Sequence, residues 1–384
     1  MGRMRHRRVR AMAAAVTLLV TAAACGGTGS ASDDDTVKIG VLLPLSGPGA
    51  QLGELIKPAV EMAATDANQG DLLAGRSIEL VLEDNRAQPG PAVSAMQKLV
   101  NVDDVSAVVS SYSSATLAVV PLAEKSKVPV IQSGAQADNL AGASDYLLNG
   151  IPLVGGEAAG LMQYLAEEEA VETAAIAFLN DDSGQTTKAS MNASAEDAGI
   201  DVVAEASHDF EQTDFRASII KMTAANPDVI LLATHSKPAA LVAEQLREGG
   251  YDGLIAGTTF MTTPDLLASD SSSGLIHSSV QFAPPDAWVE RYTQETGAAP
   301  AIYSALYYDA VMIYATAIGA LAEDGEAVTG EAIRDKILEI GTFEGVTGET
   351  AFADDGTVTK PLSINVIEDH KSKQIAVIDG AGAS

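Results

Sequence analysis

The residues best equipped for chemistry sit in short loops rich in hydroxyls and glycine. Ser111, Tyr112, Ser113, Ser114, Ala115 and Thr116 run from an apolar tetrapeptide straight into a helical pattern. Hydroxyls beside free backbone N–H groups at a helix N-terminus suit a carboxylate or other anion, and the same serines would equally serve as helix caps. Gln132, Ser133, Gly134, Ala135 and Gln136 form a second loop, in which Gly134 would let a ligand approach the backbone closely. Three later loops offer Asn180, Asp181, Asp182, Ser183 and Gly184, then Thr234, His235 and Ser236, then Gly257, Thr258 and Thr259. The segment Pro44 to Ala50 looks like a glycine-rich phosphate loop. Its spacing Gly47, Gly49, Gly53 has one residue too many for a dinucleotide fingerprint, and Pro48 removes a backbone donor. With Glu83 and Asp84 at the end of the next strand, a nucleotide site is an alternative for this loop.

Catalysis finds less support. Ser113 and His235 could be paired as nucleophile and base, but no G-x-S-x-G elbow occurs and no histidine lies near an oxyanion loop in sequence. The histidines, His6, His208, His235, His277 and His370, lack metal-ligand spacing, and a lone Cys25 excludes a multi-cysteine metal site and an internal disulfide. His208 and His277 are expected at the surface or at a sheet edge. Asp354, Asp355 and Gly356 read as a turn, since no bidentate glutamate follows at the distance a calcium loop needs. No cofactor and no metal are expected, and an exported enzyme is the less favoured reading.

The loops are spaced by elements that alternate. Apolar runs Val37 to Leu43, Ser77 to Leu82, Ala107 to Ser110 and Val128 to Gln132 read as strands; Gln51 to Asn68, Pro91 to Val100 and Ala115 to Lys125 carry helical spacing. The pattern restarts with strands Ala174 to Leu179, Asp201 to Ala206 and Val229 to Ala233 and helices Gln185 to Ala198, Phe215 to Ala225 and Ala239 to Glu248. Alternation at this interval means parallel βαβ units, here in two similar halves. The loops named above then fall at the carboxyl ends of strands, where open parallel sheets bind ligands. Asn149, Gly150 and Pro152 interrupt the pattern and place a hinge near Ile151 to Gly155.

The chain has 384 residues, with 23 basic and 52 acidic groups and a net charge of −29. Arg3, Arg5, Arg7, Arg8 and Arg10 precede an uncharged run, Ala11 to Ala24, too short to span a bilayer but right for a secretory signal. The remainder is more acidic still, which disfavours nucleic acid and an anionic membrane surface as partners. Small residues before Cys25 and the polar stretch Gly26 to Asp35 resemble the processing site of bacterial lipoproteins, with Ala22 where leucine is usual. Cys25 is therefore expected to carry a lipid, and the polar stretch to tether the protein to the outer face of the cell membrane.

The order Ile39 to Gly47, Asp66-Ala67-Asn68, Gly75 with Glu79 to Asp84, Ser113-Ser114, Val128 to Ile131 and Tyr303 to Asp309 resembles the extracytoplasmic solute-binding proteins of branched-chain amino acid ABC importers. The likeness runs from about residue 36 to the C-terminus. It implies the type I periplasmic-binding-protein fold, two doubly wound α/β lobes joined by a three-stranded hinge with crossings near Ile151 to Val154, Val280 and Lys360. The expected division is a signal peptide at 1–24, a lipidated flexible linker at 25–35, an N-terminal lobe of 36–153 and 281–358, and a C-terminal lobe of 154–280 and 359–384. By the same resemblance Ser113, Gly134 and Gln136, with Ser114 and Ala135 in the same loops, face the ligand's carboxylate and ammonium. Leu52 and Tyr303 form walls, and the second lobe's contributions fall on Ser183, His235 and Thr259. Gln136 stands where threonine is usual, Ser183 where an aromatic is usual, and Thr259 where an acid pairs with the ammonium. Either Asp181 or Asp182 replaces that acid or the ligand has no ammonium, and the loss at Thr259 favours a ligand other than leucine, isoleucine or valine. The expected partners are a small amino acid, carboxylate or amide and a membrane permease, with the protein a monomer. A sensor docking on a membrane receptor is the alternative.

Overall fold

The computed structural model describes residues 35–47 and 49–378. The signal segment, Cys25 and most of the tether lie outside the described residues.

The first part of the chain alternates as β1 (Thr36–Leu43), α1 (Ala50–Gln69), β2 (Ser77–Asp84), α2 (Pro89–Asn101), β3 (Ala107–Ser110), α3 (Ser113–Ser126), β4 (Val130–Gln132) and β5 (Leu147–Asn149). The strands form one all-parallel sheet in the order β2-β1-β3-β4-β5. The second part runs α4 (Val154–Glu167), β6 (Thr173–Leu179), α5 (Asp182–Ala198), β7 (Asp201–His208), α6 (Arg216–Thr223), β8 (Val229–Ala233), α7 (Ser236–Glu248), β9 (Leu254–Gly257), α8 (Pro264–Leu267) and β10 (Ile276–Val280). Its order, β7-β6-β8-β9-β10, repeats the winding of the first sheet. β1, β3, β4, β5 and β8 are buried throughout or nearly so, which is why they read as continuous apolar runs: helices cover both faces.

The remaining chain adds α9 (Asp286–Thr296), α10 (Ile302–Glu323), α11 (Gly330–Ile340), β11 (Thr342–Gly345), β12 (Gly348–Phe352), β13 (Val358–Thr359), β14 (Leu362–Glu368) and β15 (Lys371–Ile378). Here antiparallel pairing is added to the two doubly wound parallel sheets. β14 and β15 join the second sheet antiparallel beyond β10, and β11, β12 and β13 form a small antiparallel sheet of their own. The reason is connectivity. A strand entering the sheet directly from the end of the neighbouring lobe needs no crossover helix, and β14 and β15 are joined by a tight turn at Asp369 and His370.

The chain passes between the two sheets in residues 150–153, leaves the second sheet after Val280, and re-enters it between β13 and β14. The last two crossings are tied together, since Val280 pairs with Leu362 and the Gln281 amide donates to the Pro361 carbonyl at 2.9 Å. α10 is long and apolar enough to cross a membrane, yet most of it is buried against α1 and α11 as the central core helix of the first lobe. Its tyrosines fix that lobe's strands. Tyr314 Oη accepts from the Ile131 amide at 2.8 Å and lies 2.8 and 3.0 Å from the Val108 and Pro129 carbonyls; Tyr307 Oη donates to the Ser110 carbonyl at 3.0 Å. That last bond sets the exit of β3, where Tyr112 and Ser113 begin α3.

Candidate ligand-binding cleft

Loops leaving the carboxyl ends of both sheets meet in one narrow cleft, partly open to solvent, with a cavity volume of about 30 Å3. The first lobe supplies Leu52 from α1, Tyr112 and Ser113 at the start of α3, Gly134 after β4, and Tyr303 from the first turn of α10. Ser183 in α5, His235 and Ser236 at the start of α7, and Phe260 and Thr263 after β9 face them from the second. The lobes touch around it. The rings of Tyr112 and His235 meet edge-on with centroids 5.8 Å apart, the Ser190 hydroxyl donates to Asp138, and the Gln51 amide donates to Asp265 at 2.7 Å.

Local backbone geometry explains the aim of these groups. Tyr112 has φ of +66°, a conformation that costs a non-glycine residue of order 1–3 kcal/mol. It turns the chain sharply out of β3, and α3 starts with no side-chain cap. The serines therefore do not serve as its N-cap. Ser113 is buried, and its Oγ accepts from the Ala137 amide at 3.4 Å, a long bond. In the next loop the Gln132 side chain takes the Gly134 and Ala135 amides at 3.2 and 2.7 Å and donates to Asn149 Oδ1 at 2.7 Å. Gly134 is also required for packing: a Cβ there would stand 2.7 Å from Tyr307 Oη.

His235 is boxed by aromatic rings, with Tyr112, Phe210 and Phe260 at centroid distances of 5.8, 5.4 and 5.3 Å. Burial pushes its pKa down, against the pull of Asp181, so the imidazole is neutral. His208 stands behind it, bonded to the Thr234 hydroxyl at 2.9 Å and pushed down to about 4 by burial. The expectation that His208 and His277 lie at the surface or at a sheet edge is thus corrected in part: His208 ends the edge strand β7, whereas His277 lies within β10 inside the sheet. Both are buried, His277 with its Nε2 2.8 Å from the Ser372 hydroxyl.

Of the residues read from the sequence, Leu52, Ser113, Gly134, Ser183, His235 and Tyr303 line the cleft. Ser114, Ala135, Gln136 and Thr259 do not. Ser114 lies one residue further round α3, rotated by about 100°. Ala135 is packed inside the first lobe. Gln136 and Thr259 turn away together toward a residue the sequence reading missed, Glu157 on α4. This carboxylate is fully buried and accepts from Gln136 Nε2 at 2.6 Å, Thr259 Oγ1 at 2.7 Å and the Thr259 amide at 2.8 Å. Burial outweighs those three donors and raises its pKa to about 7. The premise that no acid stands near Thr259 is therefore corrected: the carboxylate arrives from a different helix. Asp181 instead caps α5, accepting from Ser183 Oγ at 2.7 Å and the Gly184 amide at 2.9 Å, while Asp182 is exposed.

The glycine-rich loop after β1 is not a phosphate cradle. Asp84 accepts from the Leu45 and Ser46 amides at 2.9 and 3.3 Å and from the Ser46 hydroxyl at 2.5 Å, so the donors a phosphate would need already hold a carboxylate. Gly53 is required for packing, because a Cβ would lie 2.3 Å from the Pro44 carbonyl oxygen. Among the described residues no group of three or more histidine, cysteine or acidic side chains is placed to hold a metal.

Comparison with known proteins agrees with this architecture. A leucine-, isoleucine-, valine-, threonine- and alanine-binding protein of Pseudomonas aeruginosa is 26% identical over 347 residues, covering 88% of this chain and 91% of that protein. The branched-chain amino acid transporter substrate-binding protein of Streptococcus pneumoniae, solved with isoleucine, superposes with a TM-score of 0.82 at 26% identity, covering 89% of this chain and 99% of that one. A solute-binding protein from R. palustris in complex with benzoate superposes with a TM-score of 0.80 at 18% identity, covering 89% and 96%, and speaks for the fold alone. Residues 36–372 match the periplasmic binding protein family, and the chain belongs to it.

Proposed function

We propose that this protein is the extracytoplasmic solute-capturing component of an ABC importer, holding a small carboxylate-bearing solute between its lobes and presenting it to a membrane permease. The family is one of binding proteins rather than enzymes. One observation carries the ligand class: the cleft is lined by hydroxyls, aromatic rings, a neutral imidazole and an aliphatic wall, and by no ionised side chain. A carboxylate there would take neutral donors, the Ser113 hydroxyl and the free amides of the first turn of α3, which need no compensating cation. Leu52, Phe260 and Tyr303 would cover an apolar body. Amino acids, related carboxylates and amides all meet this description. Lipidation at Cys25, tethering through the polar stretch that follows, and a monomeric state belong to the same proposal.

The test is a melting screen of small carboxylates and amides on protein freed of retained solute. A ligand at about 100 times its dissociation constant adds roughly 2.7 kcal/mol, a rise of several degrees in a chain of this size. Ser113→Ala should erase that rise while leaving the ligand-free melting point within a degree or two, because Ser113 caps nothing. An undiminished rise in the variant would show that the carboxylate does not sit at Ser113.

A further inference from the structure

The narrow cleft adjoins a far larger chamber. At the mouth between the lobes lies a cavity of about 430 Å3, against about 30 Å3 for the cleft itself. Gly47, Ala50 and Gln51 of the first lobe wall it on one side, and the loop after β7, Lys237 and Asp265 wall it on the other. Ser236 lines both spaces, and the ring of Phe210, a chamber wall, rests on the cleft-lining His235 with centroids 5.4 Å apart. A solute confined to the cleft would leave the chamber unused. Two features set its chemistry. Ser236 holds φ of +55°, a strained conformation for a residue other than glycine and of the kind that clusters at ligand sites. It starts α7 with no side-chain cap, so no side chain occupies the N–H groups of that first turn. The next residue, Lys237, forms no ion pair among the described residues although Glu211 and Asp265 line the same chamber; Asp265 instead takes the Gln51 amide at 2.7 Å.

We infer that this chamber is an outer subsite of the capture site, in which Lys237 and the first turn of α7 hold a second carboxylate at the far end of an elongated solute whose first carboxylate sits at Ser113. The inference rests on the capture reading of the cleft and narrows it to two-headed anions. The two ends differ physically. Ser113 and the α3 turn offer neutral donors in a space that admits one small group, whereas the chamber has room for a chain and a partly hydrated head. Its volume belongs to the closed protein, because the bond from Gln51 to Asp265 joins the two lobes across it. Lys237 is exposed, so its pull is that of a screened ion pair, modest and dependent on salt. Glu211, also exposed, faces the same space and opposes that pull.

The experiment uses pairs of equal chain length that differ by one terminal carboxylate: valerate and glutarate, hexanoate and adipate, octanoate and suberate. Affinities are measured by calorimetry at about 20 mM and about 300 mM salt on wild type, Lys237→Met, Glu211→Gln and Ser113→Ala. Both chamber residues are exposed, so their variants should fold as wild type does. The expected result is that at least one diacid binds about five-fold or more tighter than its monoacid at low salt, the upper range for a partly exposed ion pair. Lys237→Met should abolish that preference and leave the monoacid's affinity in place, whereas Glu211→Gln should enlarge it by about two-fold. High salt should shrink the preference in wild type. Ser113→Ala should weaken both members of each pair. Monoacids binding as well as their diacids would overturn the outer subsite and leave capture standing, and so would a preference that survives Lys237→Met. Binding of neither series would overturn the inference together with the carboxylate reading of the cleft.

Discussion

Glu157 makes a prediction about the ligand-free protein that needs no knowledge of the solute. An unfolded glutamate titrates near 4.5, and this one, buried, near 7. Below pH 4.5 both states hold the proton and the stabilising difference is complete. Between 4.5 and 7 the unfolded chain releases its proton while the folded one keeps it, so stability falls as pH rises, and the loss is finished above about 7. The step from 4.5 to about 7 corresponds to on the order of 3 kcal/mol, or about 6 °C of melting temperature for a chain this long. His208 and His277 act in the opposite sense. Each is held near 4 by burial, so the stability their neutrality provides is lost as pH falls from about 6.5 toward 4. The raw profile is therefore a difference of opposing slopes, and the informative quantity is wild type minus Glu157→Gln, in which the histidines cancel. Melting by calorimetry from pH 4.5 to pH 8 should show the variant gaining on wild type by about 6 °C across that interval. Parallel curves would refute the assignment of a raised pKa to this carboxylate.

Three further outcomes are expected. Gly134→Ala places a Cβ 2.7 Å from Tyr307 Oη and should destabilise by about 1–3 kcal/mol in denaturant titrations; Tyr307→Phe in the same background should recover part of the loss by removing the obstructing oxygen. Cys25→Ser should leave the melting point unchanged and move the protein from the membrane fraction to the soluble one, and an unchanged distribution with no lipid on the wild-type N-terminus would remove the anchor. A ligand from the melting screen should contract the particle in small-angle scattering, because Tyr112 and His235 can meet across the cleft only when the lobes are closed; an identical radius of gyration with and without it would contradict closure.

What the sequence revealed follows the strength of local signals. Strands buried on both faces leave continuous apolar runs, as Ala107 to Ser110 and Val229 to Ala233 do, and the alternation of such runs with helical spacing was enough for the winding of both sheets. Exits of those strands then place cleft residues by rule, so Ser113, Gly134, Ser183 and His235 could be found without coordinates. The antiparallel edge escaped because β14 and β15 follow no helix, leaving no alternation to read. Gly134 carries a second constraint that its own loop does not show. Its smallness answers to Tyr307, which lies 173 positions further on and comes near only through the packing of α10 on the first sheet.

The most consequential omission, Glu157, was nevertheless written in the chain. On α4 the buried positions include Val154, Ala158, Leu161, Met162 and Leu165, the stripe of a helix packed on one side, and Glu157 falls within that stripe rather than opposite it. An acid at such a position must find donors, take up a proton or meet a cation, since it cannot reach water. Placing the hinge at Ile151 to Gly155 hid the start of the helix, and with it the phase that marks the glutamate as inward-facing. The physical consequence runs further than one missed residue. Thr259, taken alone, removes a charge from the second lobe and points to a ligand without an amine. Thr259 bonded to Glu157 is a neutral residue orienting a charge delivered from α4, immediately after the first crossing between the lobes. Because Gln136, which also bonds the Pro152 carbonyl and the Val154 amide, donates to the same carboxylate, the acid is held by residues on both sides of that crossing.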